Sequence, residues 1–294
     1  MEPSNGLREA LADECPLQIV GTINAYTALL AEKAGHRALY LSGAGVANAA
    51  FGLPDLAMTT ATEVAEEVRR IRAVTNLPLL VDIDTGFGNA FNIARTIKTM
   101  IAAGASAVHI EDQVQSKRCG HRPKKALVSA NEMCDRLKAA QDANTDPNFI
   151  IMARTDALDV EGIQKTLARI EQYVDAGAQM IFFEGATALT DYLQVTQACR
   201  VPVLANITEF GRTPLFTRDE LKGVGVKLIL YPLTAFRAMS AAALNVYETL
   251  KQTGTQSSLI PNMQTREALY DVLHYHAYEQ KLDELFEEGK QDER

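Results

Sequence analysis

Cysteine is scarce in this chain of 294 residues: Cys15, Cys119, Cys134 and Cys199 are all there is, with no regular spacing and no CxxC pair. That excludes a disulfide framework as the expected scaffold and favours free thiols in a reducing cytoplasm. Long apolar runs are missing as well, so no bilayer-spanning segment is expected. The N-terminal stretch MEPSNGLREALADECP is charged and lacks the apolar centre of a secretory signal. Positive charge is in deficit, 29 Lys and Arg against 37 Asp and Glu, a formal net charge of -8. Such acidity argues against non-specific binding to nucleic acid. An anionic ligand would need local counter-charge, from a metal ion or a basic cluster. Low-complexity segments and internal linkers are also absent.

What is present is a repeated pattern. KAGHRALYLSG (33–43), AAGASAVHIED (102–112), DAGAQMIFFEG (175–185) and GVGVKLILYPL (223–233) each close a helical stretch on a small residue and glycine, then enter a short apolar run. Glycine at a helix end permits the left-handed turn that stops it, and a continuous apolar run of that length suits a buried strand. Adding the strand-like segments 17–26, 76–86, 147–156 and 200–211 gives eight strands. Helical patterns lie between them, near 27–34, 61–74, 90–103, 129–143, 160–176, 189–199 and 218–224, the fourth opened by Ser129 and Glu132 as a capping box. Alternating buried strands and helices predict a parallel α/β sheet, and eight units in this length predict a closed (β/α)8 TIM-type barrel. One domain over 1–294 is expected, with a helical extension from about 235 carrying helices near 235–250 and 264–289.

The C-terminal ends of barrel strands carry the chemistry. Here they present Tyr40 and Ser42, Asp82 and Asp84, His109, Glu111 and Asp112, Arg154 and Asp156, Glu184, Asn206 and Thr208, and Tyr231. Strand alternation sends Asp82 and Asp84 to one side. Their repulsion is relieved by a hard dication, and Mg²⁺ is commonly held by one or two carboxylates with water and substrate oxygens. Arg154 reads equally as a partner of Asp156 or Glu184, and His109 as a packed histidine. The run SKRCGH (116–121) and the following Arg122, Lys124 and Lys125 surround Cys119 with cations and no carboxylate. Nearby positive charge lowers a thiol pKa, and a basic loop after a barrel strand can also cover an anionic ligand. Cys15, Cys134 and Cys199 fall outside the strand ends and are expected to be structural.

The run KRCGH together with VDIDTGFGN, HIEDQV, MARTDA and NITEFG resembles the 2-methylisocitrate lyase branch of the isocitrate lyase and phosphoenolpyruvate mutase superfamily, from about residue 17 to 286. The resemblance implies Mg²⁺, with Mn²⁺ as a substitute, on Asp82 and Asp84, with Asp55 and Glu111 nearby. It implies a substrate carboxylate at Ser42, Gly43 and Ala44, and Cys119 as catalytic acid beside Gly120 and His121. Further substrate contacts are implied at Arg154, Glu184, Asn206, Ile207, Thr208, Arg237 and Arg266, with Phe182 and Leu230 near a substrate methyl group. Tyr40, Glu111 or a metal-bound water are candidate bases. The implied reaction is a retro-Claisen cleavage of (2S,3R)-2-methylisocitrate to pyruvate and succinate, in the methylcitrate cycle of propionate catabolism. The implied assembly is a homotetramer with the eighth helix swapped between subunits. Ala44 and Phe183 depart from the pattern, replacing a common glycine and a familiar proline, and are expected to bear on fine specificity. Isocitrate lyase is the nearest rival, but this chain has no tryptophan and carries NITEFG at the position of that enzyme's serine-rich motif. Phosphoenolpyruvate mutase and oxaloacetate decarboxylase relatives lack the cysteine motif, and a non-catalytic scaffold would carry a damaged constellation.

Overall fold

Eight short apolar runs become eight parallel strands in a computed structural model that describes residues 6–117, 120 and 125–291. They are β1 (Leu17–Gly21), β2 (Ala38–Leu41), β3 (Leu79–Asp82), β4 (Ala107–Glu111), β5 (Ile150–Thr155), β6 (Met180–Phe183), β7 (Val203–Asn206) and β8 (Leu228–Tyr231). Each pairs with the next, and β8 returns to β1 with Val20 opposite Tyr231, so the sheet is a closed barrel as expected.

Alternation along the strands divides the core in two. Leu39, Leu41, Val81, Ile110, Ala153, Phe183 and Ile229 face outward to the helices. Ile19, Leu80, Ala107, Ile150, Met152, Met180, Leu204 and Leu228 fill the interior. Leu7 and Ala10, from an N-terminal helix Leu7–Asp13 that the sequence patterns did not predict, join that interior cluster. The same period that turns Leu80 inward turns Asp82 inward. His109, Glu111, Arg154, Phe182, Asn206 and Leu230 follow in the same way.

The expected helices are present with small shifts. Thr60 and Glu63 form a full capping box on Ala61–Arg72. Ser129 makes only half of one: its side chain accepts from the Glu132 amide, but the Glu132 carboxylate turns to Arg136 at 2.7 Å. The helix expected at 160–176 is interrupted at Gly162, whose φ of 78° separates Ala157–Glu161 from Ile163–Asp175. After β2 a short turn Gly43–Gly45 runs into a π-helical segment Val46–Ala50, where no helix was expected.

By compactness the chain divides into Met1–Arg237 and Ala238–Arg294. The boundary falls inside the helix Thr234–Thr253. The second unit continues with a 3₁₀ turn Ser257–Asn262 and the helices Arg266–Leu273 and Tyr275–Gln291. The single helix expected there is broken at His274, which adopts the left-handed conformation at φ 52°. Among the described residues no helix is long and apolar enough to cross a membrane.

Candidate active site

At the C-terminal end of the barrel a cavity of about 320 Å³ opens over the inward-facing strand tips, lined among others by Tyr40, Asp82, Lys117, Arg154, Glu184 and Leu230. A larger cleft of about 540 Å³ is lined by Thr59, Arg69, Thr85 and Arg95, with Asp84 in its wall. Its threonine-rich lining brings far fewer ionisable groups together, so the chemistry belongs to the smaller cavity.

Asp82 ends β3. Its Oδ2 accepts from the Gly43 amide at 3.1 Å and its Oδ1 from the Asp84 amide at 3.0 Å. Asp84 lies past the strand, at φ 48°. It reaches the same space through a left-handed turn and not through strand alternation; aspartate is among the few residues that tolerate that conformation. Gly43 permits the crowding: a Cβ there would lie 3.1 Å from Asp82 Oδ2 and 3.3 Å from Asp84 Oδ1. Burial pushes Asp82 up, but His109, Lys117, Arg154 and the Asp84 N–H outweigh it and hold the carboxyl at about 2. Asp84 is pushed up to about 6 by burial and by Asp82 itself.

Lys117 enters the cluster with its Nζ 2.6 Å from Asp55 Oδ1 and 2.7 Å from Asp84 Oδ1. Burial would lower its pKa, yet Asp84, Glu111, Asp82 and Asp55 outweigh that and keep it an ammonium. Lys125 is buried too, its Nζ donating to Gly120 O at 2.8 Å and to Asp156 Oδ1 at 3.2 Å. Two of the cations that the sequence gathers around Cys119 are therefore committed to carboxylates. Cys119 and His121 lie outside the described residues.

Arg154 satisfies several partners at once. Its guanidinium donates twice to Asp156, at 3.0 and 3.3 Å, lies 3.3 Å from Glu111 and 3.5 Å from Glu184, and sits 5.0 Å from the Phe182 ring centroid. Gly120 passes so close that a Cβ on it would fall 2.4 Å from Arg154 Nη2 and 2.8 Å from Glu184 Cγ. Glu184 also accepts from Asn206 Nδ2 at 3.1 Å. Burial raises Glu111 well above the usual carboxylate range, despite Arg154 and Lys117.

Tyr40 and His109 form a buried pair, Tyr40 Oη 2.9 Å from His109 Nε2 and 3.4 Å from Asp82 Oδ2. Burial holds the imidazole at about 4, hence neutral at pH 7, and raises the phenol well above 10. The ring stacks on Tyr40, meets Phe182 at a tilt of 54° and brings Nε2 to 3.7 Å from Asp82 Oδ1, which makes His109 a packed histidine.

Not every predicted position converges. Ser42 caps the turn after β2 by accepting from the Gly45 amide, and the Gly43 amide is spent on Asp82. Ala44 and Thr208 line the cavity. Ile207 faces the helix layer, and its amide donates to Leu230 O. Arg237 pairs with Glu209 at 3.5 Å at the cavity rim, whereas Arg266 belongs to the second unit. Phe183 also turns outward, meeting Tyr192 edge-on at 5.6 Å, so that departure bears on barrel packing and not on specificity. Sequence reasoning placed Lys117 and Lys125 only in the basic run around a thiol and gave Asp156 only as a partner of Arg154. The signal for the two lysines was the basic run itself, whose lysines seek carboxylates.

The donors suit a hard cation. Asp82, Asp84 and Glu111 are buried carboxylates that could serve as oxygen donors, and Asp84 Oδ1 and Glu111 Oε1 accept no well-aligned hydrogen bond among the described residues. Among the described residues no three His, Cys, Asp or Glu side chains are grouped so that they could hold a metal ion.

The profile of the family described as phosphoenolpyruvate phosphomutase matches residues 7–251. The 2-methylisocitrate lyase of Escherichia coli (strain K12) is 59% identical over 285 residues, spanning 97% of this chain and 96% of that protein. The one from Bacillus subtilis (strain 168) is 43% identical over 90% of this chain and 86% of that protein. Among solved structures, 2,3-dimethylmalate lyase superposes with a TM-score of 0.86 at 33% identity, over 93% of this chain and 92% of that one. Phosphonopyruvate hydrolase, solved with oxalate and Mg²⁺, superposes at 0.82 with 26% identity, over 95% and 98%. Matches of this identity and length place the chain in the phosphoenolpyruvate phosphomutase family, within the PEP mutase/isocitrate lyase superfamily and among its 2-methylisocitrate lyases.

Proposed function

We propose that the protein cleaves (2S,3R)-2-methylisocitrate to pyruvate and succinate by a Mg²⁺-dependent retro-Claisen reaction, as the lyase step of the methylcitrate cycle in the cytoplasm. The observation that carries this reading is the cavity itself. Its lining brings together the carboxylates of Asp55 and Asp82, the Arg154 guanidinium and the apolar Phe182 and Leu230.

In this reading Asp82 and Asp84 hold the cation, with Asp55 and Glu111 close by. A bound Mg²⁺ would lower the pKa of the substrate hydroxyl and stabilise negative charge developing on its oxygen. Of the candidate bases, Tyr40 Oη is tied to His109 Nε2 at 2.9 Å, whereas Glu111 Oε1 accepts no hydrogen bond among the described residues and has the better claim. The Arg154 guanidinium, which lines the cavity, is the donor assigned to a substrate carboxylate. Asn206 and Thr208 frame the same end. Cys119 is assigned as the acid that protonates the succinate carbanion. Phe182 and Leu230 form the wall for the methyl group, where one methylene is worth roughly 1 to 3 kcal/mol in discrimination.

The chain is further proposed to act as one barrel domain with a helical extension, in a homotetramer that exchanges the eighth helix. Supporting the assembly, Thr234–Thr253 buries none of its residues and exposes Leu244 and Tyr247. The test of function is pyruvate release from 2-methylisocitrate and from isocitrate, each with and without Mg²⁺. A preference of about tenfold or more for the methylated substrate, lost in EDTA, is expected. Equal specificity constants would refute the substrate assignment, and activity unaffected by EDTA the metal.

A further inference from the structure

Lys117 is the buried charge that the proposed reaction does not use. Its side chain is 4% exposed, yet it brings an ammonium to within 2.7 Å of Asp84 Oδ1 and 2.6 Å of Asp55 Oδ1. A charge so deeply buried is tolerable only among opposite charges. The carboxylates that surround it are the ones a hard cation would use. Lys117 Nζ and Asp84 Oδ1 form a buried ion pair at 2.7 Å. The close approach of Gly43 to both Asp82 Oδ2 and Asp84 Oδ1 shows that the two carboxylates open into one small space.

Resting on the reading that Asp82 and Asp84 hold the divalent cation, we propose that Lys117 competes with that cation for Asp84 and so sets the affinity of the site for metal. An ammonium and a dication cannot both lie against one carboxylate oxygen without strong repulsion, because the low-dielectric surroundings screen little of it. Metal entry therefore requires Lys117 to give up Asp84, and Asp55 is the partner it can keep. Without metal, the lysine neutralises carboxylates that would otherwise repel one another.

The test is a Mn²⁺ titration of the full chain without substrate, free Mn²⁺ being read by its EPR signal. Lys117→Met should bind Mn²⁺ at least about tenfold more tightly than wild type, because a positive charge beside the ion is removed. Lys117→Arg, which keeps the charge, should bind like wild type. Lys117→Gln, which keeps a donor for Asp55, should follow the Met variant and serves if that one does not fold. Mn²⁺ should also raise Tm more in the neutral variants than in wild type. Asp82→Asn separates the two ideas. If it abolishes binding while the neutral Lys117 variants bind no more tightly than wild type, the competition is overturned and the metal site stands. If Asp82→Asn leaves Mn²⁺ binding unchanged, the metal site falls and the competition with it.

Discussion

His109 shows how a single buried side chain ties the site to the solution. Its pKa is about 4 in the fold, held down by burial, against about 6.5 in an unfolded chain. Between those values the unfolded state binds the extra proton, so stability is lost as pH falls through that window. Of the stability lost between pH 7 and pH 5, about 2 kcal/mol should come from this residue. The His109→Gln variant should show a correspondingly flatter fall in urea midpoint over the same range; an unchanged slope would remove the residue from the account. An alanine in place of Gly120 meets Arg154 and Glu184 at 2.4 and 2.8 Å, so one must move. Gly120→Ala should lower kcat/KM by about tenfold or more, because misplacing a substrate-orienting group costs rate. Its Tm should change little.

At the scale of elements, the barrel closes where β1 meets β8, and Gly21 makes that seam possible. A Cβ on Gly21 would fall 1.7 Å from Pro232 O, a backbone atom with no freedom to yield. Gly21→Ala should therefore cost more than about 3 kcal/mol in chemical denaturation, far beyond a surface substitution. The strands were legible in the sequence because each is a short apolar run closed by a turn residue, and the inward period carried Asp82, His109, Glu111 and Arg154 to one place. What was not legible depended on contacts between distant segments. Lys117 looks like a solvated loop residue until Asp55 and Asp84 are brought to it. Phe183 looks like a pocket residue until the register turns it outward. The helix Leu7–Asp13 is too short to show a clear period; Leu7 and Ala10 acquire a role only from the barrel interior they join.

At the scale of the molecule, the second unit displays apolar side chains to solvent. Tyr278, Leu282 and Leu285 recur at the spacing of one helix face on Tyr275–Gln291, and each is more than half exposed. Such a stripe is expected to be covered in an assembly. Sedimentation should give a mass several times the 32.1 kDa of one chain, and Leu282→Glu with Leu285→Glu should shift it toward that of a single chain. A homogeneous monomer in the wild type would overturn the tetramer. A different consequence follows from the other end of the barrel. The interior below the strand tips is filled by Leu80, Ile150, Met180 and Leu228, and the N-terminal helix adds Leu7. The reaction chamber is thus a cul-de-sac. Among the described residues the floor is closed, so two products formed above it leave toward the strand tips, and whichever lies nearer the floor departs second. Release should be ordered: in steady-state kinetics the last product out competes with substrate, and the first to leave inhibits noncompetitively.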